Sequence, residues 1–260
     1  MQILTASGQK IDVKKLLVEF SYYEDIFNFV VSGYIILKDS IGLVEKLQLT
    51  GKEFLEVNFG KARGLTTNND FMFRLYAIPK RTPTGNLNTE FIKLYFCSEE
   101  LLLSEQTKVT KSYSGTPINK IIYDILVDKM KVKTTNVFIE PTLGNYDFNV
   151  NTLKPFEAIS WMSCYARPVT NSNIGADMLL YENTKGFHFK SLQSLYRQTP
   201  SFKYEFNPKN VTLNYQENFF HTETYNILKL EVMDNFNTLE ATTGGVFHNR
   251  VITIDPMTRK

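Results

Sequence analysis

The sequence predicts an α+β, mainly β protein in which a helix-containing block interrupts a β-rich region. Three observations lead there. Apolar residues alternate with a period of two through the first hundred residues, shift to helical spacing between about 105 and 199, and return to strand-like runs after Pro200. Twenty Phe and fourteen Tyr against one Trp favour pleated surfaces, on which flat rings pack well. The runs follow one another through turns and do not alternate with helices, which disfavours a parallel nucleotide-binding sheet. The 260 residues are enough to bury a large core without staples.

Phe29 to Lys38 sends Phe29, Val31, Gly33, Ile35 and Leu37 to one face, and Val30, Ser32, Tyr34, Ile36 and Lys38 to the other. Asp39-Ser40-Ile41-Gly42 breaks the run. Glu53 to Gly60 places Leu55, Val57 and Phe59 inward and Glu56 and Asn58 outward. Asp70 to Ile78 and Glu90 to Cys97 follow the same rule, and Arg81-Thr82-Pro83-Thr84-Gly85-Asn86 joins them as a hairpin connection. Thr116-Pro117 is a helix start, with Thr116 as cap and Pro117 at the first helical position. Ile118, Ile121, Ile122, Ile125, Leu126 and Met130 form the apolar stripe that follows. A second helix runs from about Pro155 to Ala166, stopped by Pro168. A hairpin follows, Ala176 to Glu182 and Phe187 to Leu192, turned at Asn183-Thr184-Lys185-Gly186. Strands are expected at Thr222 to Met233 and Gly245 to Ile254, with a loop at Asp234 to Asn237. The domain reading is a discontinuous β domain, 1–104 plus 200–260, with an inserted α+β subdomain at 105–199.

The net charge of +2, with acidic and basic residues interspersed, gives no basic face for specific nucleic-acid binding. No stretch approaches the roughly 20 apolar residues of a membrane span, so no membrane insertion is expected. The N-terminus lacks the apolar core of a signal peptide. Cys97 and Cys164 lie in different kinds of segment and read as two reduced core cysteines, in keeping with a reducing cytoplasm.

The search for chemistry returns no catalytic site. Phosphate-cradling loops and the nucleophile elbow are missing. His188, His221 and His248 are not paired at ligand spacing, so no metal or other cofactor is expected, and His188 between Phe187 and Phe189 reads as a surface or satisfied histidine. Glu24-Asp25 and Glu99-Glu100 read as adjacent carboxylates pointing apart into solvent. Gly244-Gly245 reads as a turn. Tyr22-Tyr23 and Phe219-Phe220 read as core on one side and interface on the other, in preference to stacking platforms for bases or sugars. The residues therefore describe a non-enzymatic protein whose surfaces bind other subunits.

One series of segments carries a resemblance. Ser32-Gly33-Tyr34-Ile35-Ile36-Leu37-Lys38-Asp39 is followed by Gly42-Leu43 and Leu49-Thr50-Gly51-Lys52-Glu53. Lys108-Val109-Thr110-Lys111-Ser112-Tyr113 precedes the isoleucine-rich helix, and Lys154-Pro155-Phe156-Glu157-Ala158-Ile159 opens the second. Tyr181 to Phe189, Gly245 to Arg250 and Asp255 to Lys260 complete the order. Together these resemble the baseplate hub proteins of contractile-tailed bacteriophages, the family that includes the bacteriophage T4 hub. The architecture is also that of the head of type VI secretion spike proteins. The resemblance implies a β-barrel-like hub domain interrupted by the α+β insertion. It implies a homotrimeric ring around the tail channel in the virion baseplate, assembled in the bacterial host cytoplasm. Its implied partners are the tail tube or tube-initiator protein, the central spike protein and other baseplate proteins. Threefold assembly uses heterologous contacts, and the turn Lys38, Asp39, Ser40, Ile41, Gly42 is the candidate subunit or tube interface. In T4-like hubs a second barrel follows the region resembling Gly244 to Lys260. The chain ends at Lys260, so either a piece of a longer hub or a reduced hub completed by another protein is expected. The competing readings are a carbohydrate- or receptor-binding tail module, which requires an exposed aromatic platform, and a peptidoglycan hydrolase, which requires a cleft with a perturbed carboxylate.

Overall fold

The computed structural model describes residues 1–5, 8–40, 42–47, 49–59, 69–83, 89–169, 177–200, 203–206, 226–227, 230–231, 238–245 and 250. The chain divides into two compact units, Met1–Gln198 and Thr199–Lys260. In the second, Glu205–Phe206 pairs in parallel with Asn226–Ile227, and a short helix spans Thr238–Thr243. The expected strands Thr222 to Met233 and Gly245 to Ile254, the loop at Asp234 to Asn237 and the pair Phe219-Phe220 lie almost wholly outside the described residues.

The first unit is mainly β and holds several sheets. Its first part contains β1 (Gln2–Leu4), β2 (Lys10–Asp12), β3 (Leu17–Tyr23), β4 (Ser32–Asp39), helix α1 (Leu43–Leu47), β5 (Phe54–Phe59), β6 (Asn69–Pro83) and β7 (Glu90–Cys97). These strands form one antiparallel sheet in the order β2-β1-β5-β6-β7-β4-β3. As described, the sheet is open, with β2 and β3 at its edges. The period of two sets its faces. Ile35, Leu37, Leu55, Val57, Phe73, Leu75, Ile92, Leu94 and Phe96 lie on the buried face, packed with Ile3, Val13 and Leu43. Leaving Val57, Leu94 and their neighbours exposed would forfeit about 1.5–3 kcal/mol per side chain, which fixes the register against a one-residue slip. Gly33 is required by a close approach: a Cβ there would sit 2.1 Å from the Ser21 carbonyl oxygen and 2.4 Å from the Phe96 ring.

Two expected boundaries move. β4 begins at Ser32, not Phe29, because Asp25 accepts from Phe27 N–H and Asn28 Nδ2 and holds a turn ahead of it. Arg81, Thr82 and Pro83 are not connection but strand, paired with Ile92, Phe91 and Glu90. The tip at Thr84 to Asn86 lies outside the described residues.

The second part of this unit opens with a helix the alternation did not announce, α2 (Glu99–Gln106), with Ser98 at its N-cap position. It continues through β8 (Val109–Thr116), α3 (Ile118–Asp124) with a π turn at Ile125–Lys129, β9 (Val137–Ile139), β10 (Tyr146–Leu153), α4 (Pro155–Ser163), β11 (Met178–Asn183), β12 (Gly186–Ser191) and α5 (Leu192–Tyr196). β8 pairs with β10 antiparallel, while β12 lies between β11 (antiparallel) and β9 (parallel). The predicted isoleucine stripe is buried: Ile118, Ile121, Ile122, Ile125, Leu126 and Met130 join Phe156, Ile159, Met162, Leu180, Phe187 and Phe189 in a second core. The helix start moves by one residue. Pro117 occupies the N-cap position, and the Thr116 hydroxyl donates to the Ser114 carbonyl instead of capping. α4 ends at Ser163, five residues before Pro168, with the Ser163 hydroxyl donating to the Ile159 carbonyl in its last turn. The β11–β12 hairpin turns at Thr184-Lys185 as expected.

The two cores meet across a seam. Phe29 stacks on Phe156 with centroids 5.0 Å apart. On the second part's own side, α2 is tied to α4: Phe156 N–H donates to Ser104 Oγ, and Lys154 Nζ donates to Glu105 at 2.7 Å. The Glu182 carboxylate accepts from Val31 N–H and from the Ser98 hydroxyl.

Candidate functional site

The outer face of the large sheet is its least ordinary surface. Because Tyr34 faces away from Ile35 and Tyr95 away from Phe96, the alternation that fills the core also displays tyrosines. Tyr23 on β3, Tyr34 on β4, Tyr95 on β7 and Tyr76 on β6 form one row across four strands, with neighbouring centroids 6.2, 6.0 and 6.1 Å apart. Tyr76 joins the row at a register irregularity between Leu75 and Ala77, where the extra residue is re-aimed. Tyr23 is 52% and Tyr76 47% exposed. Lys93 Nζ lies 3.6 Å over the Tyr34 ring and 5.1 Å from that of Tyr95. The Tyr34 hydroxyl donates to Glu19 at 2.6 Å, and that bond, with a second from Ser21, holds the Glu19 carboxyl below its ordinary range. The face is thus aromatic, with Lys93 and Glu19 among the rings, and it is the tyrosines that match what subunit interfaces enrich. Of the doublet Tyr22-Tyr23, Tyr22 turns inward against Phe71 and Phe73, and Tyr23 outward. Tyr34, Tyr76 and Tyr95 fall on the outward positions of strands the sequence predicted, but β3 was not predicted and the order of the strands could not be read.

The candidate turn is held from beneath. Asp39 is 2% exposed and accepts from Leu43 N–H, so its carboxylate anchors the start of α1. Lys38 and Ser40 are exposed, Gly42 takes φ +71, and Ile41 lies outside the described residues. Asp39, Glu45 and Glu90 bring carboxylate oxygens within 4.8 Å of one another. Arg81 already serves this cluster, its guanidinium donating to Glu45 and to both oxygens of Glu90. Those two carboxylates push the Arg81 pKa up, and Arg81 holds that of Glu45 down. Physically this is an ion-pair clasp joining α1 to the β6–β7 hairpin.

Two titratable groups, Glu100 and His188, depart from the sequence reading, and Glu182, which it did not single out, joins them. Glu100 sits on α2, not on a solvated strand or turn, and burial raises its pKa. Burial likewise pushes Glu182 up to about 7 against its two donors, with Glu100 and Glu24 adding repulsion. His188 is 7% exposed, with its ring stacked between Phe138 and Tyr181 at 4.7 and 5.2 Å. Its Nε2 lies 3.0 Å from Asn183 Oδ1, while Nδ1 is buried without a partner among the described residues, and burial brings its pKa down to about 4. It is a buried neutral histidine. His221 and His248 lie outside the described residues. Cys97 is buried, its thiol pushed up to about 11 by burial, but Cys164 is exposed, because it follows the last turn of α4; the expectation of two core cysteines holds for one. Among the described residues no helix is long and apolar enough to cross a membrane.

No family model matches the chain. Over 234 residues, 89% of its length, the chain is 27% identical to a protein of Vibrio phage KVP40 described as "Probable baseplate hub protein gp334". It spans 54%, about half, of that relative's length. Among solved structures it is similar to the 43 kDa tail protein of prophage MuSo2 from Shewanella oneidensis (TM-score 0.48, 9% identity, 81% of this chain and 59% of that one). It is also similar to a tail protein from Neisseria meningitidis MC58 (TM-score 0.49, 10% identity, 81% of this chain and 55% of that one). The resemblance to baseplate hub proteins read from the sequence is therefore borne out over most of the chain.

Proposed function

We propose that this chain is a structural subunit of a phage-tail baseplate hub, and that the tyrosine row of its large sheet is a protein-docking face. The sequence likeness to a baseplate hub protein over 89% of the chain carries the proposal. The sheet gives it a physical form: one face supplies a core, and the other presents Tyr23, Tyr34, Tyr95 and Tyr76 with Lys93 among them. Large amphipathic rings with two side-chain torsions bury much area at little entropic cost, which is why such faces dock proteins.

In this reading the seven strands are the wall of a barrel-like hub domain, to which residues 200–260 return, and residues 105–199 form the insertion. Three copies surround the tail channel in the virion baseplate, after assembly in the host cytoplasm. The tail tube or its initiator meets one side of the ring, and the central spike and other baseplate proteins meet the rest. The role requires no catalysis and no cofactor. The turn at Lys38 and Ser40 is a second docking candidate. Asp39 is left out of it, since its carboxylate is committed to α1.

Light scattering across a concentration series, on the chain alone and with its phage's tube and spike proteins, tests the reading. A threefold mass, alone or with a partner, is expected. Tyr34→Ser with Tyr95→Ser is expected to lower assembly while leaving the circular dichroism of the monomer intact. Full assembly by that double variant removes the tyrosine row as the docking face, and a chain that stays monomeric with every tail protein removes the hub reading. Lys38→Glu with unchanged docking removes the turn.

A further inference from the structure

A second surface, between β10 and α4, has the features of a small-molecule site. Asn149, Asn151 and Leu153 of β10 and Glu157 and Trp161 of α4 line an open depression of about 460 Å³, within the range of ligand pockets. Trp161 is the single tryptophan of the sequence and is 38% exposed. It is propped from behind by Phe148, edge to face at 5.1 Å, and flanked by Tyr165, 50% exposed, at 6.5 Å.

The polar groups are organised in a repeated way. The Ser112 hydroxyl donates to Asn149 Oδ1 at 3.1 Å, and the Thr152 hydroxyl donates to Asn151 Oδ1 at 3.0 Å. Each carboxamide therefore has its oxygen engaged, and neither amide nitrogen has a partner among the described residues. Two NH2 donors consequently stand two residues apart on one strand. Glu157 supplies the acceptor: Oε2 takes the Lys154 N–H at 3.1 Å and Oε1 lies 3.7 Å from Lys154 Nζ, leaving lone pairs open.

The backbone at this place is not that of a plain strand. Thr152 has φ +58, in the left-handed region that a β-branched residue rarely enters. It lies where the pairing register with β8 shifts, between Val150 and Leu153. Left-handed non-glycine residues cost on the order of 1–3 kcal/mol and gather at ligand sites, and bulges re-aim side chains there. Here the strain turns the Thr152 hydroxyl onto Asn151 and sets the second donor in place.

We propose that this depression binds a neutral, β-1,4-linked oligosaccharide. An equatorially substituted pyranose offers a flat C–H face to an aromatic ring and a rim of hydroxyls that both accept and donate. Trp161 would take the flat face, Asn149 and Asn151 the acceptor oxygens, and Glu157 a hydroxyl hydrogen. A nucleic-acid strand would need cations along the site; none of the described lining residues is one, and the neighbouring Lys154 and Lys111 are held by Glu105 and Glu157 and by Asp124. The site is separate from the tyrosine row, so its test does not depend on hub assembly.

Trp161 is its own reporter. Chitohexaose and cellohexaose are titrated into the whole chain while tryptophan emission is followed, with maltohexaose as the α-linked control and calorimetry in parallel. A saturable change is expected with a β-1,4 probe, at least tenfold weaker in Asn149→Ala with Asn151→Ala and weaker or absent with maltohexaose. Should that double variant fold poorly, Trp161→Phe, read by calorimetry, replaces it and is also expected to weaken binding at least tenfold. Three results overturn the proposal: no emission change and no heat with any probe at millimolar concentration, binding indifferent to the variants, or an emission shift that follows protein concentration alone. The last would make Trp161 part of a contact between copies.

Discussion

Replacing Glu182 by Gln changes one ionisable group at the seam between the two cores and leaves its shape almost untouched. Both donors keep an acceptor, since the amide oxygen can receive the Val31 N–H and the Ser98 hydroxyl in place of the carboxylate. What is lost is the charge. Burial, reinforced by Glu100 and Glu24, raises the Glu182 carboxyl from its ordinary 4.5 to about 7 in the folded chain. The folded state therefore holds this proton more tightly than the unfolded state. The associated stability is fully present below about pH 4.5 and is lost as pH rises through about 7. A rise of that size corresponds to about 3 kcal/mol, roughly a hundredfold in the folding equilibrium. Urea unfolding of the native chain and of Glu182→Gln from pH 4 to pH 8 measures it. The difference between the two cancels every other titrating group that the substitution leaves alone. Relative to the native chain, the variant should gain stability as pH rises, most steeply between about pH 5 and 7.5. A difference that stays flat across this range would refute the reasoning, and one of opposite slope would mean that the two donors outweigh burial.

Gly33→Ala should cost at least about 2 kcal/mol, because its Cβ would meet backbone at Ser21 and the packed Phe96 ring; thermal and urea unfolding measure the loss. His188 behaves with the opposite sign to Glu182. Its folded pKa is depressed to about 4, so its contribution is present above about pH 6.5 and lost as pH falls toward 4. His188→Gln should flatten that acid limb by up to about 3 kcal/mol, read from the same urea series. Thiol labelling of the native chain at neutral pH should add one group, at Cys164, and a second only after denaturation, since Cys97 is buried with its pKa raised to about 11; mass spectrometry counts them.

What the sequence made legible was periodicity. Alternation placed Leu55, Val57, Ile92 and Leu94 on the buried side of their strands, and helical spacing placed Ile118 through Met130 in a core. Short helices escaped it. α1 has five residues, and α2 follows directly on the Cys97 end of β7, so neither offers enough turns for a period to show. The clasp of Asp39, Glu45, Arg81 and Glu90 could not be read either, because it joins residues far apart in the chain through sheet order. The glycan-site candidate was hidden for a related reason. Asn149 and Asn151 lie on β10, a strand the sequence reading did not assign, and the register irregularity and left-handed Thr152 beside them leave no pattern in the sequence.

The seam explains why a carboxyl group stands where an apolar side chain would be easier to bury. Phe29 on Phe156 supplies area but little direction, since stacked rings tolerate sliding. Glu182 supplies direction. Val31 immediately precedes β4 and Ser98 immediately follows β7, and these two strands pair with each other through Ser32 and Cys97. Ser98 N–H also donates to the Val31 carbonyl, so the two ends form one fixed corner. A single side chain from β11 reaching both donors ties the β11-β12-β9 sheet to that corner at one angle and one register. Glu24, just beyond β3, repeats the tie by accepting from Thr184 N–H in the β11–β12 turn at 2.8 Å. Glu182→Leu would retain the area and lose both bonds, leaving the Val31 N–H buried without an acceptor. On this reasoning it should loosen the angle between the two parts more than it changes their separate stabilities. Amide exchange should then rise at Val31 and Ser98 while Ile121 and Leu94, deep in the two cores, stay protected.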